Sequence, residues 1–136
     1  MKRQRGIRLI ALDVDGTLVN DEHQIMPMTK KIVRELAERG LMIVLCTGRG
    51  PRNTLPILEE LGIDGYMLNH NGAVTCHSRP YRVLEQSTFP VRLVSQVIDY
   101  CRQTGVHFDL CTADELYCES LADDVREMYE HFLIRP

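Results

Sequence analysis

Asp13-Val14-Asp15-Gly16-Thr17 sets two carboxylates two residues apart, with a glycine and a hydroxyl immediately behind them. Two like charges about 4 Å apart repel by roughly 4 kcal/mol at an effective dielectric near 20, so the pair calls for a divalent cation or a shared proton. Oxygen donors of this kind suit Mg²⁺, which keeps several waters and sits well beside a phosphate. Gly16 lets the backbone approach a ligand closely, and Thr17 offers its hydroxyl at the same turn. A second group, Thr47-Gly48-Arg49, supplies a hydroxyl, a backbone amide and a planar cationic fork, all suited to phosphoryl oxygens. A carboxylate nucleophile facing such donors and a metal is a workable phosphoryl-transfer site.

Other polar residues carry less. Two acids in a turn are commonplace by themselves; the weight comes from Gly16-Thr17 and from the matched Thr47-Gly48-Arg49. Asn71-Gly72 is first a turn signal and second a substrate contact. The cysteines at 46, 76, 101, 111 and 118 form no C-x-x-C pair, and the odd count suits a reduced cytoplasmic protein better than a disulfide framework. A zinc site from Cys76, His77, Cys111 and Cys118 lacks close ligand pairs. No histidine has a partner at ligand spacing, so all five read as surface or core residues. Asp123-Asp124 opens a helix, where carboxylates favour the dipole.

The elements that must position these groups follow from apolar patterning. Ile7 to Leu12 is an almost unbroken apolar run ending at Asp13, which predicts a strand buried on both faces of a parallel sheet. Met28 to Arg39 has apolar residues at helical spacing, with Pro27 before it and Gly40 after it. Met42 to Cys46 predicts a second buried strand that ends, like the first, in a small polar residue. Leu55, Leu58 and Leu61 mark a helix closed by Gly62, provided Pro56 lies in its first turn. Tyr66 to Asn69 is the third strand, after which Asn71-Gly72 predicts a chain reversal. The strand–helix–strand–helix–strand order implies right-handed parallel crossovers, an α/β fold and a ligand site at the carboxyl ends of the strands.

Beyond that point the pattern changes. A polar stretch, Ser78 to Gln86, leads to a helix from Pro90 to Gln103 with Val94, Val97, Ile98 and Cys101 on one stripe. Val106 to Cys111 and Glu115 to Cys118 read as short strands, and Ala122 to Leu133 as a last helix. Two domains are expected, 1–82 and 83–136. With 136 residues, 44% hydrophobic content and a net charge of −3, the chain can bury a core and lacks the basic excess of a nucleic-acid or anionic-membrane surface. The basic start, Met1 to Arg5, is followed by too short an apolar run for a signal peptide or membrane span, and reads as a solvated tail.

Asp13-Val14-Asp15-Gly16-Thr17 after one buried strand and Thr47-Gly48-Arg49 after the next resemble the haloacid-dehalogenase superfamily, and within it the Cof-type phosphatases. The motif spacing, Asn71-Gly72 and the following α+β segment extend the likeness over nearly the entire chain. The resemblance implies a Rossmann-like core, here incomplete, followed by the start of an α+β cap. It implies that Asp13 attacks phosphorus, that Asp15 protonates the leaving oxygen and later activates water, and that Thr47 holds the phosphoryl group. Mg²⁺ would be bound by the Asp13 carboxylate and the Asp15 carbonyl, with Gly16, Thr17, Gly48, Arg49 and Asn71 near a small phosphorylated substrate. Family members place a lysine and a further acidic pair on strands after the cap. Neither has an evident counterpart before Pro136, and Lys30 and Lys31 do not match by motif.

Three functions compete on this reading. The first is a phosphatase for small phosphorylated metabolites such as sugar phosphates or phosphorylated cofactors. A phospho-receiver signalling module would need an acceptor Asp at the end of strand three, which instead ends at Asn69. The third is a truncated, catalytically impaired fragment that binds metal or phosphate, or that associates with itself or another chain through an uncovered sheet edge.

Overall fold

Residues 6–131 are described by the computed structural model, so the basic start and positions 132–133 of the expected last helix lie outside the described residues. The first strand, β1 (Leu9–Asp13), runs parallel to β2 (Met42–Cys46), and β2 runs parallel to β3 (Tyr66–Asn69). Helix α1 (Pro27–Glu38) joins β1 to β2, and α2 (Pro51–Leu61) joins β2 to β3. Strand order β1-β2-β3 advances without reversal, so right-handed crossovers place both helices on one face. Arg34 on α1 locks them together: its Nε donates to Leu61 O at 2.5 Å and its Nη2 to Glu60 O at 3.0 Å, a cation on the carbonyl end of α2. Lys30 pairs with Glu60 beside it.

The chain reverses after β3, as Asn71-Gly72 predicts. A 3-10 turn over His70–Gly72 returns it into β4 (Val74–Ser78), antiparallel to β3, with Asn69 opposite Val74. A further antiparallel strand, β5 (Tyr81–Gln86), completes a five-stranded sheet in the order β1-β2-β3-β4-β5.

Three expectations need correction. The polar stretch 78–86 is largely strand: β5 is exposed at all six positions, so no alternation of burial marked it. Pro56 lies inside α2 and not in its first turn, because the helix starts at Pro51; Pro56 is on the exposed face, where water can substitute for the missing amide bond. β1 is not buried on both faces. Among the described residues it has a strand neighbour on one side only; its Leu9, Ala11 and Asp13 are exposed, and the more buried face carries Ile10, Ile43, Leu45 and Met67.

The first compact unit runs through Gln86 and the second begins at Ser87, since β5 keeps 83–86 in the sheet. The second unit contains α3 (Val91–Thr104), the antiparallel pair β6 (Asp109–Cys111) and β7 (Leu116–Cys118), and α4 (Asp123–His131). Its polar centre is Tyr129 on α4, which is 2% exposed and hydrogen-bonded to Asp109 and, at 3.0 Å, to His107. Burial, together with Asp109, pushes the Tyr129 hydroxyl well above its ordinary pKa. Among the described residues no helix is long and apolar enough to cross a membrane.

Candidate functional site

Parallel pairing of Asp13 with Cys46 brings the ends of β1 and β2 level, so Asp13 and Thr47 leave the sheet from the same carboxyl edge. Val14 is fully buried, and its carbonyl accepts the amides of Leu18 at 2.9 Å and Val19 at 3.0 Å. That anchored turn holds Asp13 and Asp15 on the open side, where both are exposed. Gly16 turns the chain with φ of +73°, a backbone that L residues avoid. Thr17 donates its hydroxyl to Asp13 Oδ2 at 3.1 Å, which fixes one oxygen of this exposed carboxylate.

Arg49 grips Asp15 with both arms of its fork, Nε to Oδ2 at 3.0 Å and Nη2 to Oδ1 at 2.5 Å. The guanidinium side is the more buried, at 19% exposure against 51% for Asp15. The second carboxylate is thus compensated by an arginine of the same chain, a solution the acidic spacing alone does not specify. His23 completes the group, its Nδ1 lying 3.3 Å from Arg49 Nη2. It is a surface histidine, as expected, but one that lies beside the candidate site. A turn between Asn20 and Gln24, in which His23 adopts φ of +57°, carries it back, and no spacing rule encodes that return.

Thr47 is 7% exposed, and its backbone is fully engaged: its amide donates to Leu68 O at 3.0 Å and its carbonyl accepts Asn71 N–H at 3.1 Å. Its hydroxyl oxygen accepts Arg49 N–H at 3.1 Å, so the hydroxyl proton is available to a ligand. The loop after it fits tightly under the His70–Gly72 turn. A methyl added at Gly48 would lie 3.2 Å from Asn71 Oδ1, and one at Gly50 would lie 3.1 Å from His70 Cε1. A side chain at either position would make Asn71 or His70 give way by a few tenths of an ångström. The predicted site residues therefore converge on one edge: Asp13, Asp15, Gly16, Thr17, Thr47, Gly48 and Arg49 from β1 and β2, with Asn71 arriving over Gly48 from β3.

Burial and the neighbouring Asp13 carboxylate both push the Cys46 thiol pKa upward, which disfavours its thiolate. Among the described residues no cluster of three or more His, Cys, Asp or Glu side chains could hold a metal. The donors present still fit Mg²⁺, which is commonly bound by one or two carboxylates plus waters and substrate phosphate. The Asp13 oxygen not held by Thr17 and the adjacent Asp15 main chain are the oxygens on this edge that could hold it.

A family model described as haloacid dehalogenase-like hydrolase matches residues 10–134. Phosphatase YwpJ from Bacillus subtilis is 28% identical over 111 residues, a stretch covering 82% of this chain and 39% of that protein. The HMP-PP phosphatase of Serratia proteamaculans is 32% identical over 91 residues, covering 67% of this chain and 33% of that protein. Among solved structures, a sugar phosphatase of haloacid dehalogenase subclass IIB superposes with a TM-score of 0.78 at 25% identity, covering 95% of this chain and 50% of that one. The chain thus spans half or less of the length of these three relatives. The acidic turn and the Thr-Gly-Arg turn both fall within the matched residues, and the chain belongs to the haloacid dehalogenase-like hydrolase family.

Proposed function

We propose that this chain carries the nucleophile side of a magnesium-dependent phosphatase that hydrolyses small phosphorylated metabolites through an aspartyl phosphate on Asp13. The supporting observation is the placement of Asp13, oriented by Thr17, on the same sheet edge as the Thr47 hydroxyl and the Gly48 amide. In the first half-reaction an Asp13 carboxylate oxygen bonds to phosphorus as the ester P–O bond breaks, and Asp15, released from Arg49 and having taken up a proton from solvent, gives that proton to the leaving oxygen. In the second, water attacks phosphorus while Asp15 takes its proton, releasing inorganic phosphate and restoring Asp13. Bound Mg²⁺ would offset the negative charge gathered between phosphate and carboxylates. Because Arg49 holds Asp15 here, an arriving phosphate competes with that carboxylate for the guanidinium. The names of the relatives, an HMP-PP phosphatase and a sugar phosphatase, support the substrate class.

The unit from Ser87 onward is proposed as the first part of an α+β cap domain, and the cytoplasm as the location, in keeping with five free thiols. The test is release of phosphate from a generic aryl phosphate with and without Mg²⁺, alongside mass-spectrometric trapping of phosphorylated Asp13. Magnesium-dependent turnover that disappears in Asp13→Asn is the expected result. Turnover retained in that variant would end the proposal.

A second reading, association with itself or another polypeptide, is favoured by one observation. Among the described residues β1 has a strand neighbour on one side only, and Ile7, Leu9 and Met42 are exposed at 77%, 49% and 45%.

A further inference from the structure

Asn69, the last residue of β3, is fully buried, an unfavourable place for an amide unless its hydrogen bonds are met. Its Nδ2 donates to Arg49 O at 3.0 Å and to Thr54 Oγ1 at 2.7 Å. Thr54, also fully buried, donates its own proton to Gly50 O at 3.0 Å, so its oxygen must accept. Both neighbours of Asn69 are therefore acceptors, which fixes the amide with its nitrogen toward the loop. Its Oδ1 is left buried without a partner. A group that leaves one buried acceptor unmet in order to donate twice is a poor choice for stability alone.

The two donors converge on Arg49-Gly50, immediately after the Thr47 hydroxyl. His70 N–H adds a second bond to Arg49 O at 3.1 Å, and Asn71 N–H holds Thr47 O at 3.1 Å. In a trans peptide the carbonyl and amide point in opposite directions, so pinning Thr47 O inward aims the Gly48 N–H outward. Pinning Arg49 O likewise sets the direction in which the Arg49 side chain leaves the backbone toward Asp15.

We propose that Asn69 is a positioning residue of the anion-binding loop: with Thr54 it holds Arg49 and Gly50 from beneath and does not touch substrate. The proposal rests on the reading of Thr47–Arg49 as a phosphoryl-binding loop, but its loop-ordering part can be measured without turnover. In the full chain, amide hydrogen exchange is followed in wild type, in Asn69→Leu, which keeps the bulk but removes the donors, and in Thr54→Val. Exchange at Arg49, His70 and Asn71 is expected to rise at least tenfold, with less than a twofold change at Leu45 and Met67 in the core strands. Equal acceleration at all five amides would reduce Asn69 to a general stabiliser, and no acceleration would remove its role; either overturns the proposal. If Asn69→Leu does not fold, Thr54→Val carries the same comparison. Where wild type turns over an aryl phosphate, Asn69→Leu is expected to lower kcat/KM about tenfold with an unchanged pH profile. An unchanged kcat/KM also overturns the proposal. Absence of wild-type turnover would instead count against the phosphatase reading and leave the exchange data to decide on Asn69.

Discussion

Thr17 and Arg49 divide the two acidic side chains between them, one holding an oxygen of Asp13 and the other both oxygens of Asp15. The division sets different expectations for the two contacts. Arg49→Lys keeps the charge but loses the planar fork, so kcat/KM for an aryl phosphate should fall about tenfold. The ion pair is half open to solvent on its Asp15 side and adds little to stability, so the unfolding free energy from urea titration should change by no more than about 0.5 kcal/mol. Asp15→Asn removes the proton carrier and keeps the nucleophile; slow accumulation of phosphorylated Asp13 without steady turnover is the outcome to look for by intact mass. Asp13, Asp15, Thr47 and Arg49 could be read from sequence because each sits at or just past the end of an apolar strand run, where position implies placement. His23 and Asn69 could not. His23 depends on a left-handed turn, and Asn69 looks like any polar strand end until Thr54 and Arg49 O are seen around it.

At the scale of elements, the close approach of β2 and β3 depends on Gly65. A methyl there would lie 2.8 Å from Ile43 O, a backbone atom that cannot rotate away. Gly65→Ala should cost about 1–3 kcal/mol of stability, measured by urea unfolding. The far end of the β3–β4 pair is tied by Asp64, which accepts from the Ser78 hydroxyl and, at 3.1 Å, from the Arg79 amide. Burial opposes the charged form of Asp64, but Ser78, His77 and the Gly65 and Arg79 amides outweigh it and hold the carboxyl below its ordinary pKa. A carboxyl depressed in the folded state contributes stability above its unfolded pKa of about 4, and loses that contribution as pH falls through the folded value. Wild type should therefore be more stable than Asp64→Asn at pH 7, with the gap in urea midpoint narrowing below about pH 4. An unchanged gap at pH 3 would contradict this account. The parallel strands and their helices were legible because burial repeats along them. β5 was not, because an outer strand exposed at every position leaves no period to detect.

At the scale of the whole molecule, the sheet of the first unit is covered by α1 and α2 on one face, while the other carries half-open Leu9 and Met42 as register partners. Among the described residues no strand pairs with its outer β1 edge, and natural sheets usually shield such an edge with charge, proline or a covering segment. The apolar run at Ile7–Leu12 located the strand but not its burial, because an apolar composition does not say what lies against each face. If that surface seeks a partner, the purified chain should associate with rising concentration. Sedimentation velocity over a tenfold concentration range should show a weight-average coefficient that climbs. Leu9→Lys puts a charge on the open face without altering the helix-covered one, and should return the coefficient to that of a 15.6 kDa monomer while leaving the circular dichroism spectrum unchanged. A concentration-independent monomer in wild type would show that solvent alone satisfies this edge.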